Sequence, residues 1–148
     1  MIALCTRTLT LILALGLPLQ AFADAAVTQP VSNPDFEFGV EAIKAKEWDK
    51  AIEHFTIYAR IDPANADAQN FLGYAYRNQK NYDLAFRHYK EALRLDPSHR
   101  GAHEYIGEAY VLVGDKAKAR EHLAALERIC TKRCDEYEDL ARAIAQAK

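Results

Sequence analysis

Cys130-Thr-Lys-Arg-Cys134 is the one stretch of this 148-residue chain that could do covalent chemistry on its own. A thiol pair at that distance either closes a disulfide or works as a redox dithiol, with Lys132 and Arg133 lowering a thiol pKa. The familiar oxidoreductase spacing has two intervening residues, and here there are three. A Cys-x-x-Cys-His haem attachment is absent, and a zinc site needs more ligands than His122 supplies. On one continuous helix, residues four apart suit a disulfide poorly, so a bridge requires a turn over Thr131–Arg133. The expectation is a structural bridge between Cys130 and Cys134, with a thiol–disulfide redox protein as the alternative.

Three histidines, His54, His88 and His122, follow one another at a constant step of 34. A ladder of imidazoles invites metal binding or a proton switch. Helices stacked at the ordinary distance of about 10 Å keep neighbouring rungs from sharing one ion. The ladder is therefore read as helix positions inherited with a repeat, and no metal or cofactor is expected. Glu104 and Glu108 lie one helical turn apart, the spacing of a solvated face. No G-x-S-x-G elbow, H-E-x-x-H pair or Gly-rich phosphate loop is present, and the chain is expected not to be an enzyme.

The elements that carry these residues repeat with the same step. It separates Gly39, Gly73 and Gly107, then Ala51, Ala85 and Ala119, then Phe55, Tyr89 and Leu123, and Pro63 is echoed by Pro97. A fixed period of that length marks stacked helix pairs, an architecture that binds more often than it catalyses. Asn33, Asn65, Asn81 and Asp115 supply caps, and Asp62-Pro63 and Asp96-Pro97 close units, because a residue before Pro resists the helical region. A last segment, Asp135 to Ala147, places Tyr137, Leu140, Ala141 and Ile144 on one helical face. No useful stretch alternates with period two, so no strands are expected.

The N-terminus reads differently. Arg7, an apolar run from Leu9 to Leu19, and Ala21-Phe22-Ala23 form the pattern of a secretory signal peptide, 1–23, cleaved after Ala23. A spanning helix needs about 20 residues and this run is much shorter, so a retained anchor is disfavoured and no membrane attachment is expected after cleavage. Residues 24–32 read as a flexible leader. Export makes a persistent disulfide reasonable and points to the periplasm. The formal charge is −2, or −3 once Arg7 leaves, with the signs interspersed and no basic run, so nucleic acid is not an expected partner.

At these positions the chain resembles the tetratricopeptide repeat family. Leu72, Gly73, Tyr76, Ala85, Tyr89, Ala92 and Pro97 fall on its pattern in the second unit. The first unit keeps Phe38, Gly39, Ala51, Phe55 and Pro63, and the third keeps Ile106, Gly107, Tyr110, Ala119 and Leu123. The resemblance implies an all-α fold, a short α-solenoid of three helix–turn–helix units (33–65, 66–99 and 100–133) with a capping helix over 134–148. It also implies a concave groove lined by the first helix of each unit. The residues so placed are Phe36, Val40, Ile43 and Lys44, then Asn70, Tyr74, Arg77 and Asn78, then Glu104, Glu108 and Val111. The family's carboxylate-clamp version has Lys and Asn where Phe36 and Val40 stand, which argues against that ligand. The reading is a periplasmic protein–protein interaction module, a scaffold or adaptor taking a peptide or partner helix in its groove. A self-assembling homo-oligomer is a further alternative.

Overall fold

Four helices begin where a short polar side chain takes a free amide of the first turn. Asn33 accepts from the Asp35 amide at 2.8 Å, Asn65 from Ala68 at 2.9 Å, Asn81 from Leu84 at 3.3 Å and Asp115 from Lys118 at 3.1 Å. The fifth helix is capped by a ring nitrogen: His99 Nδ1 accepts from Ala102 at 3.1 Å while Nε2 faces Asp67 at 3.0 Å. The computed structural model describes residues 33–147. It contains α1 (Asp35–Lys44), α2 (Trp48–Ile61), α3 (Ala66–Asn78), α4 (Tyr82–Leu95), α5 (Arg100–Leu112), α6 (Lys116–Ile129) and α7 (Asp135–Gln146). No strand occurs among the described residues. The signal peptide and leader expected from the sequence lie outside them.

Helices pair as α1 with α2, α3 with α4 and α5 with α6. The pairs stack through α2 on α3 and α4 on α5, and α7 lies against both α5 and α6. The turn inside each pair has the same backbone solution. Lys46, Lys80 and Gly114 take φ of 59°, 63° and 84°, again at steps of 34. The next amide then reaches back five residues, as in Glu47 to Ala42, Asn81 to Tyr76 and Asp115 to Tyr110, each at 2.9 Å. That is the Schellman closure, which favours glycine at the left-handed residue. Only the third turn has glycine.

Two clusters make the core. The first joins Ala42, Ala51, Phe55, Ala68, Leu72 and Ala75. The second joins Ala85, Tyr89, Ile106 and Ala109, and Tyr76 packs against both. Small residues let the paired backbones approach: a Cβ on Gly39 would sit 2.8 Å from the Phe55 ring, and one on Gly73 would sit 2.6 Å from the Tyr89 ring. The aromatic then fills the space that the glycine leaves, and full burial of such a ring stabilises by about 2–3 kcal/mol. At the third unit Leu123 is shorter and only half-buried, and the nearest atoms to Gly107 belong to Leu140 of α7.

A shared face of the first helices

The first helices α3 and α5 touch each other directly, and their common face holds a tight polar–aromatic cluster. The Arg77 guanidinium lies 5.0 Å from the Tyr74 ring centre and 5.3 Å from that of Tyr105, and the two rings are 4.9 Å apart. One guanidinium nitrogen, Nη1, donates to the Tyr105 carbonyl at 3.4 Å and to Glu108 Oε2. Trp48, from the start of α2, extends the aromatic surface with its ring 6.0 Å from Tyr74. Arg77 is only 11% exposed and Glu108 25%, so this ion pair is sheltered from screening. Burial works against the charge on Arg77, but the Tyr89 phenol and the Glu108 carboxylate outweigh it and raise its pKa.

Below the cluster, Tyr89 is fully buried with its hydroxyl unpartnered, and burial pushes that phenol upward. Glu104 lies at the other edge. Burial pushes its carboxyl up to about 7, helped by Glu108 and by Asp139 and Glu136 of α7. Glu136 is held by Arg100 at 3.5 Å and Asp139 by Arg142 at 2.8 Å, and no ion pair among the described residues engages Glu104. Arg77 is thus internally neutralised, as are Glu136 and Asp139, which leaves Glu104 as the carboxyl without an ion-pair partner at the α5–α7 edge among the described residues.

The structure separates the residues assigned to the groove. Tyr74, Arg77, Glu104 and Glu108 come together on the shared face. Phe36, Val40 and Ile43 are only partly exposed. They pack against the first core, where Phe36 meets Phe55, Tyr58 and Phe71 at 5.5, 5.0 and 5.9 Å. Asn70 is buried: it is 4% exposed, its Oδ1 is unpartnered, and its Nδ2 lies against Gly101. An amide facing a neighbouring glycine is covered by the backbone that the glycine lets in. Lys44 is exposed but tied to Glu41 at 2.7 Å, Asn78 donates to the Tyr74 carbonyl at 2.8 Å, and Val111 is half-buried. Glu104 and Glu108, read as a solvated pair, are both partly buried.

Tyr105 and Trp48 escaped the sequence reading. The signal for Tyr105 was available, since it stands one repeat step after Phe71, an aromatic at the same place in the preceding unit. A cleft of about 780 Å³ lies elsewhere, at the turns between units beside Asp62, Asp67, Asp96, His99 and Glu136. It is open and polar, and it contains none of the aromatic anchors.

The histidine ladder makes one side-chain hydrogen bond per unit, always to the residue 19 positions earlier. His54 Nδ1 meets Asp35 at 2.8 Å, His88 Nδ1 meets Gln69 at 2.9 Å, and His122 Nδ1 meets His103 Nδ1 at 3.0 Å. In the third rung, His103 Nε2 donates to the Pro97 carbonyl at 3.1 Å, leaving its Nδ1 as the acceptor and His122 as the donor. Burial and then His103 lower the His122 pKa to about 4. No group of three metal-ligating residues occurs among the described residues. Cys130 and Cys134 are joined by a disulfide across the gap between α6 and α7, with Cα atoms 5.9 Å apart. Among the described residues no helix is long and apolar enough to cross a membrane.

Comparison with known proteins places this geometry in a group. The family model described as tetratricopeptide repeat matches residues 36–98 and 82–133. No curated protein matches the sequence. Among solved structures, the first TPR of Spaghetti (RPAP3) bound to the HSP90 peptide SRMEEVD is 23% identical with a TM-score of 0.67, covering 75% of this chain and 87% of that one. The Yersinia enterocolitica type III secretion translocator chaperone SycD, in an alternative dimer, is 17% identical with a TM-score of 0.67, covering 76% and 85%. The MamA RS-1 ArsTM double mutant is 24% identical with a TM-score of 0.61, covering 64% and 53%. At these identities the likeness is one of fold.

Proposed function

Because the chain belongs to the tetratricopeptide repeat family, we propose that it is a periplasmic interaction module holding a peptide or partner helix on the face shared by α3 and α5. The observation that carries the reading is the Tyr74–Arg77–Tyr105 stack, with Trp48 beside it. Flat, rigid aromatic surface gives contact area at little entropic cost, and the adjacent carboxylates give register. Since Glu108 already neutralises Arg77, recognition of an anionic ligand through that arginine is not part of the proposal. The half-buried Glu104 carboxyl favours a partner that is neutral or basic there. Two structural neighbours are described in complex with a peptide or as a chaperone, which supports a binding role. The proposal assigns no catalytic step.

The periplasmic setting rests on the N-terminal sequence pattern and is tested by fractionation, with mass measurement of the exported chain expected to show Asp24 at its start. The face is tested by capture from an envelope extract with wild type and with Tyr74→Ala, keeping Arg77 in place so that Glu108 retains its partner. A protein held by wild type and released by a still-helical variant supports the proposal. Equal capture by both moves recognition to another surface.

A further inference from the structure

Cys130 closes α6 and Cys134 opens α7, so the disulfide joins two helix ends of opposite polarity. The end of α6 carries partial negative charge from its free carbonyls, and the start of α7 carries partial positive charge from its free amides. At α3, α4 and α6 the capping place holds an Asn or Asp oxygen that accepts from a first-turn amide. At α7 it holds a sulfur that makes no such bond. Two clefts open on the bridge. One, of about 450 Å³, is lined by both cysteines together with Ser98, Arg100, Lys132 and Arg133. The other, of about 160 Å³, reaches Cys130 and not Cys134, between Glu127, Lys132, Arg133 and Tyr137. Cys130 is therefore approachable from two sides and Cys134 from one. Arg100 is engaged by Glu136 at 3.5 Å and Arg133 by Glu138 at 3.6 Å, whereas no ion pair among the described residues engages Lys132.

We propose that the bridge is a thiol–disulfide exchange site, with Cys130 Sγ attacked by the thiolate of a partner dithiol and Cys134 Sγ as the leaving group. The entering thiolate forms a bond to Cys130 Sγ as the Cys130–Cys134 bond breaks, and the electron pair departs on Cys134 Sγ. The partner's second thiolate then attacks the partner sulfur of the mixed disulfide and expels Cys130 as a thiolate. The partner loses two electrons and becomes a disulfide, the chain becomes a dithiol, and the two protons given up by the partner end on the two cysteines. Charge in each displacement sits mostly on the entering and leaving sulfurs. This order puts the leaving charge at the positive start of α7, in the place of a capping oxygen, and the less charged central sulfur at the negative end of α6. The reverse order would set the leaving charge against the α6 carbonyls. Lys132 lines both approaches and attracts the entering thiolate, opposed by the carboxylates of Glu127, Asp135, Glu136 and Glu138. Leu140, 0% exposed, keeps α7 seated when the bridge opens. The site does not depend on the α3–α5 face.

The probe is reduced glutathione, an anionic thiol, added at millimolar concentration and neutral pH to the full oxidised chain carrying Cys5→Ser, which removes the third cysteine of the sequence. Freed thiols are alkylated with iodoacetamide at intervals. Trypsin cuts after Lys132 and Arg133, so the two cysteines fall on different peptides and mass spectrometry reads each one. Glutathione on Cys130 with the alkyl group on Cys134 should exceed the reverse product about fivefold, falling to near parity when the chain is unfolded in urea. Lys132→Glu should slow the reaction with glutathione about threefold at low salt, and leave the reaction with cysteamine, a cationic thiol, undiminished. The proposal is overturned if the bridge resists glutathione, if Cys134 is the sulfur modified, or if the preference is the same folded and unfolded. An equal response of both thiols to Lys132→Glu overturns it as well. Circular dichroism of the reduced chain should match that of the oxidised one. A loss of helicity would make the bridge a clasp that the fold needs closed, and would overturn the proposal too.

Discussion

Leu140 occupies the space beside Gly107, so that a Cβ on the glycine would lie 2.5 Å from a Leu140 methyl carbon. A residue of α7 thus does for the third unit what Phe55 and Tyr89 do for the first two. α7 is held as part of the array and is not merely laid over its end.

Leu140→Ala should therefore destabilise the whole fold by about 3 kcal/mol, the cost of a large-to-small change at a fully buried site. Urea denaturation followed at 222 nm measures it. A loss under about 1 kcal/mol would show that α7 is peripheral.

Breaking the Cys130–Cys134 bridge should have a smaller and more local effect. The loop it closes is short, so loop entropy accounts for about 2 kcal/mol, and Leu140 continues to anchor α7. Hydrogen exchange after reduction should rise in the first turn of α7 while α3 and α4 remain protected. Exchange rising evenly across the chain would contradict this.

Two titrations oppose each other between pH 4 and 7. Glu104 holds its proton up to about 7 in the fold against an ordinary 4.5, because of burial and then Glu108, Asp139 and Glu136. Its contribution is complete below 4.5 and lost as the pH rises through 7. His122 titrates near 4 against an ordinary 6.5, because of burial and then His103, so its contribution is complete above 6.5 and lost as the pH falls toward 4. Glu104→Gln should stabilise at pH 8, by about 1 kcal/mol after solvent screening is discounted, and do nothing at pH 4. His122→Gln should flatten the acid limb. Melting curves at pH 4, 6 and 8 separate the two.

Arg77→Ala should cost about 1–2 kcal/mol by leaving Glu108 half-buried without its partner, and the double variant Arg77→Ala/Glu108→Ala should recover part of that. Strict additivity across the cycle would mean that the pair contributes nothing.

The seven helices were legible because the period of 34, the Asn and Asp caps and the Asp-Pro closures all act locally. The binding face was legible only in part. The family resemblance placed Tyr74, Arg77, Glu104 and Glu108 on one side. It could not show that Phe36 would turn into a cluster with Tyr58 and Phe71, or that Gly101 would let the α5 backbone close over Asn70. Those outcomes depend on which neighbour arrives opposite, a pairing that no single helix encodes. The histidine ladder shows the same limit. Its step was plain, yet its three partners, Asp35, Gln69 and His103, differ in kind and give each rung its own chemistry.

The turns offer a last consequence. Lys46 and Lys80 hold left-handed backbone that Gly114 adopts without cost, and an L-residue there gives up about 1 kcal/mol relative to glycine. Two of the three turns are therefore held above their local minimum by the helices they join. In terms of mutational tolerance, the chain carries two unused corrections: glycine at either lysine returns roughly what one conservative core truncation removes. How much damage the array can absorb while staying folded is set in part by two exposed lysines that lie outside its core.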